Sequence, residues 1–292
     1  MSRTLTERVA GRRTRRRAAT SVVGVLVLVV LTGCSKDTTE QMKRLGLPEA
    51  SSDRSEAMSS LWIGSWIACL VTGVVVWGLI AYCAIRFRRR RDDEIPRQLR
   101  YHLPIEMLYT VAPLIVVAVF FFFTVEKQDD VLADVPHPDH QVLVSAGQWS
   151  WTFNYLEESV TGGTNVYDQG TPAHQPELWL VKDQSVNFEL RSPDVIHSFW
   201  VPSFYFKMDV IPGRQNSFSM TPTKLGVFQG RCAELCGVYH SEMLFQVHVV
   251  SQDQFESHLR ALKAAGDTGL VLGGENSRVV SGSESGSKGS AP

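Results

Sequence analysis

Two long apolar stretches dominate the first half of the chain. Residues 61–85 carry no charged side chain, and residues 103–125 carry only Glu106. Each exceeds the ~20 apolar residues that a helix needs to cross a bilayer, so the pattern predicts two transmembrane helices. A shorter apolar run, residues 22–31, follows an arginine-rich start and reads as a signal peptide rather than a span. The period then changes. Between residues 140 and 250, stretches such as "QVLVSAGQWSWTFNY", "ELWLVKD", "SVNFELRS" and "LFQVHVV" are short, β-branched and aromatic, with turn residues between them. Many short strands at this spacing predict a sandwich or Greek-key barrel of roughly 120 residues. Ser251 and Gln254 then form a capping box for a helix whose apolar stripe is Phe255, Leu259 and Leu262. Beyond Gly266 the chain is rich in Gly and Ser without an apolar period, so residues 266–292 read as a disordered tail.

Charge fixes the topology. The chain has 292 residues and a formal net charge of −1. Residues 1–33 hold seven arginines against Glu7, and residues 86–102 hold seven more against Asp92, Asp93 and Glu94, which leaves −11 on the remainder. Two arginine blocks with an acidic remainder suit a membrane protein, not a nucleic-acid binder with a basic folded face. By the positive-inside rule the loop "RFRRRRDDEIPRQLR" is cytoplasmic, so the N-terminus and everything after Val125 lie outside. The signal ends in Leu31-Thr32-Gly33-Cys34, a lipobox-like sequence that would lipidate Cys34 on the same outer side. The predicted organisation is a signal peptide (1–33), an external segment (34–59), a transmembrane hairpin (60–126), an external β-domain (127–265) and the tail. Glu106 sits near the cytoplasmic end of the second span, either as an interfacial glutamate or as a point of proton admission.

Five cysteines are too few and too scattered for a disulfide framework, and Cys69 and Cys83 fall in the first span. The remaining pair lies in "RCAELCGVYHSEM", where Cys232, Cys236 and His240 are spaced by four and Met243 follows by three. Thiolates, an imidazole and a thioether are soft or borderline donors that suit copper. Structural zinc seldom uses methionine. A disulfide on an oxidising outer face is the alternative, but it leaves His240 and Met243 without a role. His197, in "SPDVIHSFWVPSF", is a further candidate donor, whereas His248 alternates with apolar neighbours and reads as solvent-facing. His137, His140, His174 and His258 have no soft donor nearby in sequence.

These motifs resemble subunit II of bacterial haem–copper cytochrome c oxidases, in an actinomycete-like form, over roughly residues 59–262. "DVIHSF" and "CAELCGVYHSEM" fill every position of that family's signature for a dinuclear copper centre, CuA, in a cupredoxin-like domain. The resemblance implies that Cys232 and Cys236 bridge two coppers and that His197 and His240 each ligate one. Met243 would complete one copper and the Glu234 backbone carbonyl the other. The Glu234 side chain would help hold Mg²⁺ at the boundary with subunit I. "GQWSWTFNY" resembles the family's aromatic stretch, with Trp149 as the residue through which electrons arrive and Trp151 as the second tryptophan. Ser150 replaces a tyrosine there and Asn154 an acidic residue, which puts the docking surface in question. "PIEMLYTVAPLIV" resembles the start of the family's second helix, with Glu106 at the mouth of a proton pathway and Tyr109 in place of a tryptophan. "FKMDVIPGR" matches a further family stretch at Lys207, Asp209, Pro212, Gly213 and Arg214, implying roles at the interface or on the haem-propionate side.

The implied function is transfer of electrons from a cytochrome c-type donor, free or held in a respiratory supercomplex, to haem in subunit I. Oxygen reduction there is coupled to proton pumping across the cell membrane. Haem belongs only to the partner subunit, and further oxidase subunits complete the assembly. Quinol oxidase subunits of this shape lack the two cysteines. A membrane-tethered copper carrier or assembly protein remains the alternative, but it would not need Glu106 or a two-helix hairpin.

Overall fold

The computed structural model describes residues 36–88, 98–171 and 173–273. The signal peptide, the lipobox with Cys34, most of the arginine-rich loop and residues 274–292 lie outside the described residues. The chain divides into two compact units, residues 1–49 and 50–292. In the first, a short helix α1 (Lys36–Lys43) carries an exposed Lys43–Glu40 pair.

In the second unit, two long helices, α2 (Ser55–Arg86) and α3 (Leu103–Leu132), pack side by side and are long and apolar enough to cross a membrane. Both outrun the predicted spans. Residues 55–60 and 126–132 are mostly polar or charged yet helical, because once a turn is nucleated each further residue adds a hydrogen bond at low cost. At 1.5 Å per residue α2 is about 48 Å long, so its ends project beyond the ~30 Å hydrocarbon layer. The two projecting ends meet at Arg54. Its Nη1 donates to Asp130 O (2.6 Å), its Nη2 to Ala133 O (2.8 Å) and its Nε to Ser219 O (3.2 Å). One guanidinium thus satisfies carbonyls at the C-terminus of α3, which the helix cannot pair internally, and ties them to a strand of the outer domain. Ser51 and Ser52 add side-chain bonds to Ser203 O and Phe204 O, both 2.9 Å. The last residues of the segment expected to be external, 51–55, are packed on the β-domain.

Among the described residues, ten strands form two five-stranded sheets. The first has the order β3-β2-β1-β5-β8, built from Val166–Gln169, Ser150–Tyr155, His140–Gly147, Val186–Arg191 and Asn216–Met220. The second has the order β4-β10-β9-β6-β7, built from Glu177–Val181, Leu244–Val250, Gly226–Cys232, His197–Val201 and Phe206–Val210. β1 and β5 pair in parallel, as do β10 and β4, and the other ladders are antiparallel. The period-2 pattern holds: Leu178 and Leu180 of β4 and Phe245, Val247 and Val249 of β10 point into the core. Phe245 is its aromatic hub, meeting Trp151, Phe153 and Phe199 at centroid distances of 5.2, 5.3 and 5.0 Å. Gly230, its cross-strand partner, must be glycine, because a Cβ there would overlap the Phe245 ring. The buried Tyr155 hydroxyl accepts from Trp179 N (2.8 Å) and joins the two sheets across the core. The architecture is the expected one, a two-helix membrane hairpin followed by an all-β cupredoxin-like sandwich.

Helix α4 (Gln252–Ala265) starts at the expected Ser251–Gln254 capping box and buries Phe255 and Leu259. The tail expected from residue 266 does not begin there. Tyr167 N donates to Asp267 O (3.1 Å), Gly269 N to Asn165 O (2.9 Å) and Ser145 Oγ to Leu272 O (2.7 Å). Residues 267–273 form a strap over the outer face of the first sheet, ending where Gly273 abuts Pro193. Its bonds come from the backbone, which apolar periodicity does not report. Asn154 is fully buried beneath it, with Nδ2 donating to Leu143 O (3.0 Å) and Val271 O (3.1 Å) and Oδ1 accepting from Val271 N (2.7 Å). The Asn154 departure therefore leaves the outer surface untouched. The amide is needed because a carboxylate could not donate to two carbonyls.

Candidate metal centre

One end of the sandwich gathers the predicted donors. His197 opens β6, Cys232 closes β9 and Met243 immediately precedes β10, while the loop between carries Glu234, Cys236 and His240. Antiparallel pairing of β9 with β6 and β10 makes these termini converge, so residues 46 positions apart in sequence meet at one point.

Their distances fall into two groups. Cys232 Sγ lies 3.9 Å from His197 Nδ1 and 3.2 Å from Glu234 O. Cys236 Sγ lies 3.5 Å from His240 Nδ1 and 3.8 Å from Met243 Sδ. The two sulfurs are 3.9 Å apart and both thiols are free, whereas a disulfide needs about 2.0 Å. Ligands held at ~2.0–2.3 Å from a shared metal sit roughly 3.3–3.8 Å from each other. Each lobe has an imidazole, a thiol and a third donor, with the thiols at the junction. Cys232, Cys236 and Met243 are buried and His197 is fully so. The donor set therefore fits two soft metal ions sharing a pair of sulfurs.

Electrostatics favour the same outcome. The thiols are coupled: the hydrogen bond between them favours ionisation of Cys232, aided against burial by His197, and pushes the Cys236 thiol up. The arrangement thus favours ionisation of one thiol over the other, and metal binding would displace whatever proton remains. His197 Nε2 is 2.9 Å from Asp194 Oδ1. Burial opposes the charge on Asp194, but bonds from His197 and from the N–H groups of Gln148 and Val195 outweigh it and hold the carboxyl at about 2. The ionised carboxylate keeps the proton on Nε2 and aims the Nδ1 lone pair at the sulfurs. Asp194 also accepts from Gln148 N (2.7 Å), and Gln148 Nε2 donates to Cys236 O (2.8 Å). One carboxylate thus braces both lobes. Asp194 and Gln148 lie inside the quoted motifs, but neither is a soft donor, so residue type and spacing assign them no role.

Trp151 is buried in the core of β2, its Nε1 donating to Met243 O (3.3 Å). Trp149 is not a strand residue. It sits in the β1–β2 turn, against Gly237 of the ligand loop. A Cβ on Gly237 would stand 2.9 Å from Trp149 Nε1, and the residue's φ of +132° also favours glycine. Glu234 is exposed in the same loop.

Other predicted residues lie elsewhere. Glu106 is in the first turn of α3, where its Oε1 accepts from His102 N (2.8 Å). Lys207 and Asp209 are exposed on β7, followed by a turn in which Arg214 N reaches Ile211 O (3.1 Å) with Gly213 at φ +76°. Pro then Gly at its central positions is the type II arrangement. His248 does not face solvent as its alternation implied. It stacks on Trp179 at 4.8 Å, and His258 of α4 stacks on Trp179 at 4.4 Å.

Comparison with known proteins gives the same answer. Residues 171–250 match cytochrome c oxidase subunit II, periplasmic domain, and residues 40–126 match its transmembrane domain. The probable cytochrome c oxidase subunit 2 of Streptomyces coelicolor is 44% identical, over 94% of this chain and 95% of its own length. The cytochrome c oxidase subunit 2 of Mycobacterium tuberculosis is 33% identical, over 84% of this chain and 81% of its own. The periplasmic domain of the subunit II of cytochrome oxidase from Bradyrhizobium japonicum is similar over 45% of this chain and 99% of its own, with 29% identity and a TM-score of 0.40. The chain belongs to the cytochrome c oxidase subunit II family, as a membrane protein with an outer CuA-type domain.

Proposed function

We propose that the chain accepts electrons from a cytochrome c-type donor on the outer face of the cell membrane and passes them to haem in subunit I, where oxygen reduction is coupled to proton pumping. The observation that carries this reading is the two-lobed donor set with free thiols 3.9 Å apart. Both thiolates, Cys232 and Cys236, would be shared by two coppers, His197 and His240 would each ligate one, and Met243 would complete one copper and the Glu234 carbonyl the other. Such a centre, when bound, supplies a one-electron store delocalised over two metals.

The chain's own residues set the conditions. Asp194 fixes the His197 tautomer, and the aromatic hub around Trp151 and Phe245 excludes water behind the sulfurs. A buried, braced donor set changes little when its charge changes, which favours rapid transfer. Trp149, packed on the ligand loop, is the proposed point of electron uptake. The exposed Glu234 carboxylate would help hold Mg²⁺ against subunit I. Glu106 would admit protons at the inner face, and its present bond to a backbone N–H is one that a shift of side chain can release. A cleaved signal and lipidated Cys34 would tether the mature N-terminus on the outer side. The acidic remainder of the chain, at −11 outside the two arginine blocks, would speed encounter with a basic donor or sit beside one in a supercomplex.

The test is to express residues 134–273, add copper, and record metal content with optical and EPR spectra. The strap must be included, since a fragment ending at 265 would uncover Asn154. About two coppers per chain with a shared-electron EPR signal is the expected result. A colourless domain without free thiols refutes the reading. In the whole oxidase, Trp149→Phe should slow reduction by the donor at constant copper content. Glu106→Gln should slow turnover with the copper spectra unchanged, and normal turnover would leave Glu106 as a helix-capping residue only.

A further inference from the structure

Trp149 is positioned by packing rather than by a hydrogen bond. Its Nε1 is buried with no acceptor among the described residues. One edge of the indole lies on Gly237. The other ring contact is Tyr239, edge-to-face at a centroid distance of 5.0 Å and an interplanar angle of 80°. Ser150, next to Trp149 in the chain, has no ring to contribute. Tyr239 is half-buried in the ligand loop and directly precedes His240, whose Nδ1 lies 3.5 Å from Cys236 Sγ.

We propose that Tyr239 is a positioning residue for electron uptake: its ring clamps the Trp149 indole against the Cys236–Gly237 backbone. This rests on the reading of Trp149 as the uptake residue. The geometry suits the task. An edge-to-face pair is directional, because the positive ring edge meets the negative face of its partner. Gly237 offers a floor without a side chain, and Tyr239 supplies a second contact from two residues further along the same loop. The clamp and the metal donors therefore share one backbone segment, so Trp149 keeps its distance from the site when the loop shifts. Electron transfer weakens as donor and acceptor move apart, so an indole that drifts from the loop passes electrons more slowly.

The experiment uses the assembled oxidase and reduced mitochondrial-type cytochrome c, a small basic haem protein, as the probe. Rapid mixing follows reduction of the copper centre, and EPR follows the centre itself. Tyr239→Ala should slow reduction about tenfold, and Tyr239→Phe, which keeps the ring, should stay within about twofold of the native rate. Copper content and EPR signal should be unchanged in both. Trp149→Phe/Tyr239→Ala should be no slower than Trp149→Phe alone, since Tyr239 acts only through Trp149. A native rate in Tyr239→Ala overturns the proposal, as does a Tyr239→Phe rate as slow as Tyr239→Ala. Additive effects in the double variant, or an altered EPR signal, overturn it too. If Tyr239→Ala fails to load copper, Tyr239→Leu keeps the bulk without the ring and is read the same way. A native rate in Trp149→Phe removes the uptake role of Trp149 itself, an outcome distinct from failure of the clamp alone.

Discussion

Replacing Asp194 by Asn isolates the contribution of one carboxylate to the metal centre. Asp194 accepts from His197 Nε2 (2.9 Å), Gln148 N (2.7 Å), Val195 N (2.6 Å) and Ser192 Oγ (3.2 Å). Asparagine is isosteric, but it is neutral and presents an NH₂ group where one oxygen stood. Either His197 loses a charged acceptor or the Gln148 N–H faces another donor. A hydrogen bond to a charged group is worth ~1.5–3 kcal/mol. At ~1.4 kcal/mol per factor of ten, losing the charge on the His197 bond should weaken copper binding roughly ten- to hundredfold, the range seen when the support behind a metal-bound histidine is removed. Asp194→Ala should do worse, since His197 Nε2 is then buried without a partner. The assay is competition for copper between residues 134–273 and a chelator of known affinity, with circular dichroism confirming the fold. A folded Asp194→Asn domain that binds copper within about twofold of native affinity would refute the reasoning.

Three further outcomes are expected. Burial is the main cause that lifts Asp168 from 3.8 to about 6, only partly offset by the Glu177 N–H bonded to it. The folded chain then holds a proton that the unfolded chain releases, so stability falls as pH rises from 3.8 to about 6, by about 3 kcal/mol in all. Asp168→Asn should therefore stabilise at pH above 6 and change little near 4; an equal effect at both, by denaturant titration, contradicts the sign. Asn154→Ala removes three buried hydrogen bonds and should cost roughly 2–4 kcal/mol in unfolding free energy. Two of the three reach Val271, so the cost should shrink sharply in a chain truncated after Gly266, and equal costs in both backgrounds would deny the strap its role. Gly237→Ala forces a methyl group to 2.9 Å from Trp149 Nε1 at a φ of +132°. It should destabilise by roughly 1–3 kcal/mol and change the near-ultraviolet dichroism of the indole; an unaltered spectrum would exclude the contact.

Much of this protein was legible in one dimension. Two long apolar runs, the second interrupted only by Glu106, define membrane helices because lipid offers no partner to polar groups. Alternation marks the strands of a sandwich, and the Ser251–Gln254 box starts its last helix as the spacing requires. The candidate donors were legible too, since Cys232, Cys236, His240 and Met243 crowd one loop and His197 sits in its own motif. Their chemistry is a property of residue type and spacing. Tertiary structure decided what depends on contacts between distant segments. It placed Asp194 behind His197, set Trp149 on Gly237 and Tyr239, and bound Arg54 to the end of α3. It also converted residues 267–273 from a tail into a strap over Asn154. These arrangements rest on single hydrogen bonds and ring contacts between backbone positions that only folding brings together, and such contacts leave no periodic trace in the order of the residues.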